Sequence, residues 1–278
     1  MAWSLQPRGP FSLEAAARVL SDFPVPDAAW NGERLALAFY LERTWEPIGA
    51  SLRQEGATLQ IDAPAAARPA IERIFSLGID GSAIARIARI DPVVRRLVAR
   101  MPGLRPVAFG SPWEAAAWAI LTQRIQMKQA ARHMRELALA HGTPLEVEGA
   151  LLHAFPGPEA FLRIRAIPGV IAEKIDWLHG CAHAALRGQL DAERLRALPV
   201  PDALRALRTL PGIGPFSAEL ILIRGAGAPD VLPTAAARAQ HDVERAYGRG
   251  ADLERIAEAW RPWRSWVIFL LRNAATEP

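Results

Sequence analysis

The sequence predicts an α+β fold, with an N-terminal antiparallel sheet and its helices followed by an all-α domain. Three observations carry this. Short alternating apolar segments, separated by glycine-containing turns, are confined to roughly the first hundred residues. From about Ser111 the apolar residues recur at helical spacing almost without interruption. At 278 residues, 51% of them hydrophobic and 22% charged, the chain can build two domains with real cores. The boundary is expected near residue 105, giving an α+β unit over 1–105 and a helical unit over 106–278.

A first helix is predicted over residues 11–20, with Phe11, Ala15, Val19 and Leu20 on one face. Alternating segments at 34–40, 48–53 and 57–61 read as strands, with Asn31-Gly32 and Glu55-Gly56 as turns. Helices are expected over 64–77 and 80–90, and Asp91-Pro92 opens another. Ser111-Pro112-Trp113-Glu114 combines an N-cap serine, a proline in first position and an acidic first turn. Further helices are predicted through Arg124, then over 127–141, 159–164, 172–186, 201–207, 215–223, 235–247, 253–260 and 263–273. Gly142, Gly188, Gly225 and Gly248 are the expected stops.

The single cysteine, Cys181, rules out a disulfide framework and an iron–sulfur cluster with four thiolates. No apolar run approaches eighteen residues, and MAWSLQPRGP lacks a basic start followed by an apolar stretch. The expectation is a cytoplasmic protein with no membrane partner. Net charge is +4 and the pI is about 9.9. Nearly all the cations are arginines, with lysine only at Lys128 and Lys174. Arginine suits bidentate phosphate contact, but an arginine-favouring codon usage gives the same composition, so charge leaves the partner open.

The stretch LRTLPGIGPFSAE, residues 207–219, carries more information. One helical pattern ends at Leu-Pro-Gly and another restarts after Gly-x-Gly, with Gly212 and Gly214 both free to take positive φ. A glycine-lined turn lets a phosphate approach the unpaired N–H groups of the second helix, where the helix dipole favours an anion. Such a contact holds a backbone and reads no base. An echo at residues 164–171, IRAIPGVI, has Ile171 where the second glycine belongs and reads as structural.

These residues resemble the helix-hairpin-helix DNA glycosylase superfamily, and within it the bacterial 3-methyladenine DNA glycosylase II family. PWEAAAWAILTQRI at 112–125 resembles the family's opening helix, and LPGIGPFSA at 210–218 resembles its hairpin, within a helix-hairpin-helix unit over about 204–224. LIRG at 222–225 and PDVLP at 229–233 resemble the approach to its active site, and WRPWRS at 260–265 its last helix. The N-terminal sheet resembles the family's extra domain, so the likeness covers nearly the whole chain.

The resemblance implies a monomeric, nucleoid-associated bacterial protein of base excision repair. It would bind double-stranded DNA and flip an alkylated or otherwise damaged base into a pocket. The N-glycosidic bond would then be hydrolysed through an oxocarbenium-like sugar. It implies phosphate-binding amides at Gly212, Gly214 and Ser217, DNA contacts from Gln123, and a wedge at Arg124. The backbone carbonyls of Arg208, Leu210 and Ile213 would hold a monovalent cation, Na or K, with no cofactor needed for the chemistry. Phe216, Leu220, Ala236 and Arg272 fall at the base pocket.

One departure is chemical. The family's catalytic Asp position is Ala236, which can neither stabilise a cation nor polarise a water, and losing such a group typically removes about 10²–10⁴ in rate. Asp242 lies about 120° around the helix and about 9 Å along it. Glu219 and Asp230 are expected to be solvated surface charges. Arg272 would repel a cationic alkylated base unless paired. Three readings fit: an engineered Asp-to-Ala variant, a natural member that binds damaged DNA without cutting it, and an enzyme with a relocated carboxylate.

Overall fold

A computed structural model describes residues 2–22 and 27–275. The sheet is antiparallel with strand order β1-β5-β4-β3-β2, formed by β1 (Ala2–Leu5), β2 (Asp27–Trp30), β3 (Arg34–Tyr40), β4 (Pro47–Glu55) and β5 (Thr58–Asp62). Leu35 pairs with Leu52 and Leu52 with Ile61, so one face is a continuous apolar row. That face packs on α1 (Leu13–Asp22) and α2 (Arg68–Ile74) to form the first core. Strands β1 and β2 were absent from the sequence reading, because AWSL and DAAW are too short to show a period.

Two more helices follow, α3 (Ile84–Ile90) and α4 (Pro92–Arg100). Asp91 caps α4 as expected, accepting the amides of Val93 and Val94. Its other oxygen accepts Tyr247 Oη at 2.6 Å and Trp260 Nε1 at 3.1 Å, which fastens α4 to the far end of the chain. Ile84, Ile87, Val94 and Leu97 accordingly share a core with Val243, Trp260, Val267 and Leu271. This core joins residues from both sides of position 105.

The remaining elements are α5 (Pro112–Leu121), α6 (Met127–His141), β6 (Thr143–Val147), β7 (Ala150–Ala154), α7 (Pro158–Phe161), α8 (Ala172–Leu186), α9 (Ala192–Ala197), α10 (Val200–Leu207), α11 (Pro215–Leu220), α12 (Ala237–Tyr247), α13 (Leu253–Ala257) and α14 (Arg264–Ala274). α5 is buried on every side and forms the axis of the largest core. A helix with no polar face must be central to its domain. Ser111 caps it as predicted, accepting the Glu114 amide.

The region expected to be all-α is largely helical but carries one β-hairpin, β6–β7. It turns at Glu148 and Gly149, both at positive φ, which matches the right-handed twist of paired strands. Val147, Leu152 and Ala154 cover Ala36, Ala38 and Tyr40 on the outer face of the sheet. Strand β3 is therefore buried on both faces, which explains why RLALAFY is apolar throughout.

Arg73 joins the two halves. Its guanidinium donates to the carbonyls of Phe109 (2.8 Å), Gly225 (2.7 Å) and Gly110, and pairs with Glu42 at 3.2 Å. The site described below is thus anchored to the sheet through one buried side chain.

Candidate functional site

The predicted hairpin forms between α10 and α11. Gly212 sits at φ +72°, and a Cβ there would lie 2.7 Å from the Trp177 ring. Glycine is required at this position on both counts. Gly214 differs from the expectation. It is extended, at φ −86° and ψ −175°, and a Cβ added to it would meet nothing within 4 Å. Neither backbone strain nor packing inside the chain calls for glycine here, and the bare face opens to solvent.

Gly214 is the N-cap of α11 and has no side chain to cap with. The first helical bond runs from Ala218 N–H to Gly214 O at 2.9 Å. Pro215 has no N–H, so the amides of Phe216 and Ser217 lie in the first turn, where the helix itself offers no acceptor. Ser217 is buried, and Phe216 stands out into solvent at 47% exposure. Ile213 packs into the core as expected, and its N–H bonds Leu210 O at 3.2 Å. The Ile167 echo has the same turn, with Gly169 at φ +76° and a Val170 N–H to Ile167 O bond of 3.0 Å. Its exposed Ile171 covers the place that Gly214 leaves bare.

Gln123 is half-buried, and its side-chain amide donates to Gly212 O at 2.8 Å. It braces the hairpin from the end of α5. Arg124 follows, exposed and at φ +58°. The left-handed backbone turns the chain abruptly between α5 and α6.

Ala236 is the N-cap of α12, at φ −95° and ψ 95°, with no side-chain cap. That position favours Asp, Asn, Ser or Thr, whose oxygens accept the second or third helical amide. Alanine leaves the first turn uncapped. The expectation that Glu219 is a solvated charge is wrong. Glu219 is 6% exposed and accepts Ala235 N–H at 3.1 Å and Thr234 Oγ1 at 3.1 Å. Burial pushes its carboxyl above the ordinary range, against the pull of those hydrogen bonds. Helix α11 thus grips the 234–235 turn directly.

Asp230 and Asp242 also differ from solvated charges. Asp230 pairs with Arg264 at 2.7 Å and Arg261 at 3.2 Å. Asp242 is buried and pairs with Arg272 at 2.7 Å and Arg245 at 3.1 Å. Arg272 is therefore paired, yet one carboxylate serves two guanidinium groups. Burial lowers the Arg272 pKa, with Arg238 and Arg245 adding repulsion. Leu220 is half-buried against the main core, and α11 continues into a π-helical turn, Ile221–Gly225. On that turn Arg224 lies over the Phe109 and Phe269 rings, and burial and the Arg272 charge bring its pKa down to about 10. Leu220 on α11 packs on the main core, whereas Ala236, the N-cap of α12, packs on the core that holds α14, the helix of Arg272.

No protein-family model matches the chain. A probable bifunctional transcriptional activator and DNA repair enzyme, AlkA, from Mycobacterium tuberculosis is 31% identical over 228 residues, 74% of this chain. The chain spans only 42% of that relative's length. A 3-methyladenine DNA glycosylase structure from Archaeoglobus fulgidus superposes with a TM-score of 0.81 at 22% identity, covering 97% of this chain and 96% of that one. This chain belongs to the helix-hairpin-helix DNA glycosylase superfamily.

It is related to the AlkA-like 3-methyladenine DNA glycosylases. A Clostridium acetobutylicum 8-oxoguanine glycosylase/lyase, in complex with double-stranded DNA, shares the fold at 14% identity and a TM-score of 0.73, covering 100% of this chain and 99% of that one. Among the described residues no helix is long and apolar enough to cross a membrane. The sequence reading took Glu219 for a solvated charge and gave Arg224 no role of its own. Both lie on the hairpin's second helix and its continuation, at spacings of three and eight from Phe216. That spacing was the available signal.

Proposed function

We propose that this chain binds double-stranded DNA through the hairpin and turns a damaged nucleotide toward the turn that carries Ala236. One observation carries the reading. Gly214 is a glycine that the fold itself does not need, open to solvent beside first-turn amides. A phosphate oxygen is the ligand such a surface suits. Gly212, Gly214 and Ser217 are its amide donors, and Arg124 is the wedge. A monovalent cation on the carbonyls of Arg208, Leu210 and Ile213 is compatible, since Leu210 O keeps a second lone pair beside its bond to Ile213.

The reaction of such a pocket is hydrolysis of the bond between the sugar C1′ and the base nitrogen, with water supplying the hydroxyl. The positive sugar in the transition state needs a nearby carboxylate, and Ala236 supplies none. We infer a protein that binds and flips, with excision strongly depressed. Equilibrium binding to duplex carrying one abasic site, with excision assays on methylated and deaminated duplex, tests this. Salt-sensitive binding with excision gained by Ala236→Asp supports it. Binding without salt dependence, or none at all, contradicts it.

A second reading rests on Glu219, a carboxylate bonded to the residue next to Ala236. It assigns Glu219 the missing role. Measurable excision by the unaltered chain, lost in Glu219→Gln, supports it over the first.

A further inference from the structure

One of the two lysines in the chain, Lys174, is 8% exposed. Its Nζ donates to Gln123 O at 2.7 Å and to Leu121 O at 3.2 Å. The Leu121 carbonyl ends α5, where helical acceptors have no partner of their own, and Gln123 lies two residues beyond it. The same Gln123 holds Gly212 O through its side chain at 2.8 Å. Its backbone therefore belongs to the lysine and its side chain to the hairpin. Arg124, the next residue, leaves this double anchor with φ +58°.

Helix α8, which carries Lys174, also supports the hairpin. Trp177 lies under Gly212, Gly180 meets Pro211, and Cys181 Sγ contacts Pro211 O at 3.7 Å. Residues 174, 177 and 181 fall on one face of a helix. Position 174 touches the loop after α5, and positions 177–181 touch the hairpin. The two contacts are separated by about 4.5 to 10.5 Å of helix at 1.5 Å per residue.

We propose that Lys174 is a positioning residue that fixes the Arg124 loop relative to the hairpin, so that α8 sets the spacing between wedge and phosphate clamp. This rests on the DNA-flipping function proposed above. A rigid spacing matters because the wedge must enter the base stack at a set number of nucleotides from the phosphate the hairpin holds. Burial lowers the proton affinity of Lys174, and the Arg124 charge lowers it further. Lys174 holds the loop's carbonyls while Arg124 stands exposed.

The test uses the full chain, its Lys174→Met and Lys174→Arg variants, and duplex DNA with 2-aminopurine opposite or beside an abasic site. The methionine keeps the apolar stem and loses the ammonium. Lys174→Met is expected to bind within about threefold of the unaltered chain, with the flipping fluorescence reduced at least tenfold. Lys174→Arg is expected to restore part of that signal. Hydrogen exchange without DNA should quicken at residues 122–126 in Lys174→Met and stay unchanged at 210–217. Equal flipping by Lys174→Met overturns the proposal, as does parallel loss of binding and flipping or quickened exchange in both segments. If the unaltered chain fails to bind DNA, the function itself is overturned and the positioning role with it.

Discussion

Glu219 accepts the Ala235 backbone N–H at 3.1 Å, tying the second helix of the hairpin to the turn that carries Ala236. The hairpin and the turn before α12 are therefore one mechanical unit. An Asp placed at 236 would inherit a backbone already held by α11.

Ala236→Asp is expected to do two things at once. As an N-cap it should stabilise the fold by about 1 kcal/mol, seen as a higher Tm. As a carboxylate beside the flipped sugar it should raise excision of damaged bases by about 10²–10⁴. Thermal melts and single-turnover excision assays read the two effects separately. A higher Tm with no gain in excision indicates a cap without a catalytic site.

Glu219 is expected to matter through geometry. In the Ala236→Asp background, Glu219→Gln keeps an acceptor for the Ala235 amide and should retain most of the excision rate. Glu219→Ala removes the tie and should lower the rate about tenfold or more. Equal rates for the two variants in single-turnover assays would show that the contact is incidental.

Glu114 gives the fold a pH dependence. It is fully buried in α5, and burial raises its carboxyl from 4.5 to about 8, with the Gly110 amide, accepted at 2.9 Å, pulling the other way. The folded chain therefore holds the neutral acid more tightly than the unfolded chain does. This contribution is complete below about pH 4.5 and is lost as pH rises toward 8, at roughly 1.4 kcal/mol per pH unit in the limit. Melts from pH 5 to 9 should show Tm falling for the unaltered chain and a flatter profile for Glu114→Gln. A parallel fall in both assigns the effect to other groups.

Much of this was legible in the sequence, and the exceptions share a cause. Ser111-Pro112, Asp91-Pro92 and Pro211-Gly212 declare helix ends and a turn through local chemistry, so their reading needs no tertiary information. The β6–β7 hairpin had its signal in Glu148-Gly149, the same dipeptide type read as a turn at Glu55-Gly56, but the surrounding helical pattern masked it. The carboxylates at 219 and 230 were misjudged because their partners lie 15 to 34 residues away in sequence. Whether a charged residue is solvated or paired is decided by packing, which no local pattern encodes. Gly214 was expected to be free for a positive φ, and only Gly212 takes one.

The central claim is that the hairpin is a phosphate clamp, and Gly214→Asp tests it most directly. The position is extended and has open space around it, so Asp fits and caps α11, leaving Tm unchanged or slightly higher. The added carboxylate lies where the phosphate would sit. The measurement is equilibrium binding of both chains to duplex with one abasic site across a salt series. The account predicts at least tenfold weaker binding by Gly214→Asp, with the salt slope reduced by about one phosphate contact. Equal affinity and equal slope for the two chains would contradict it.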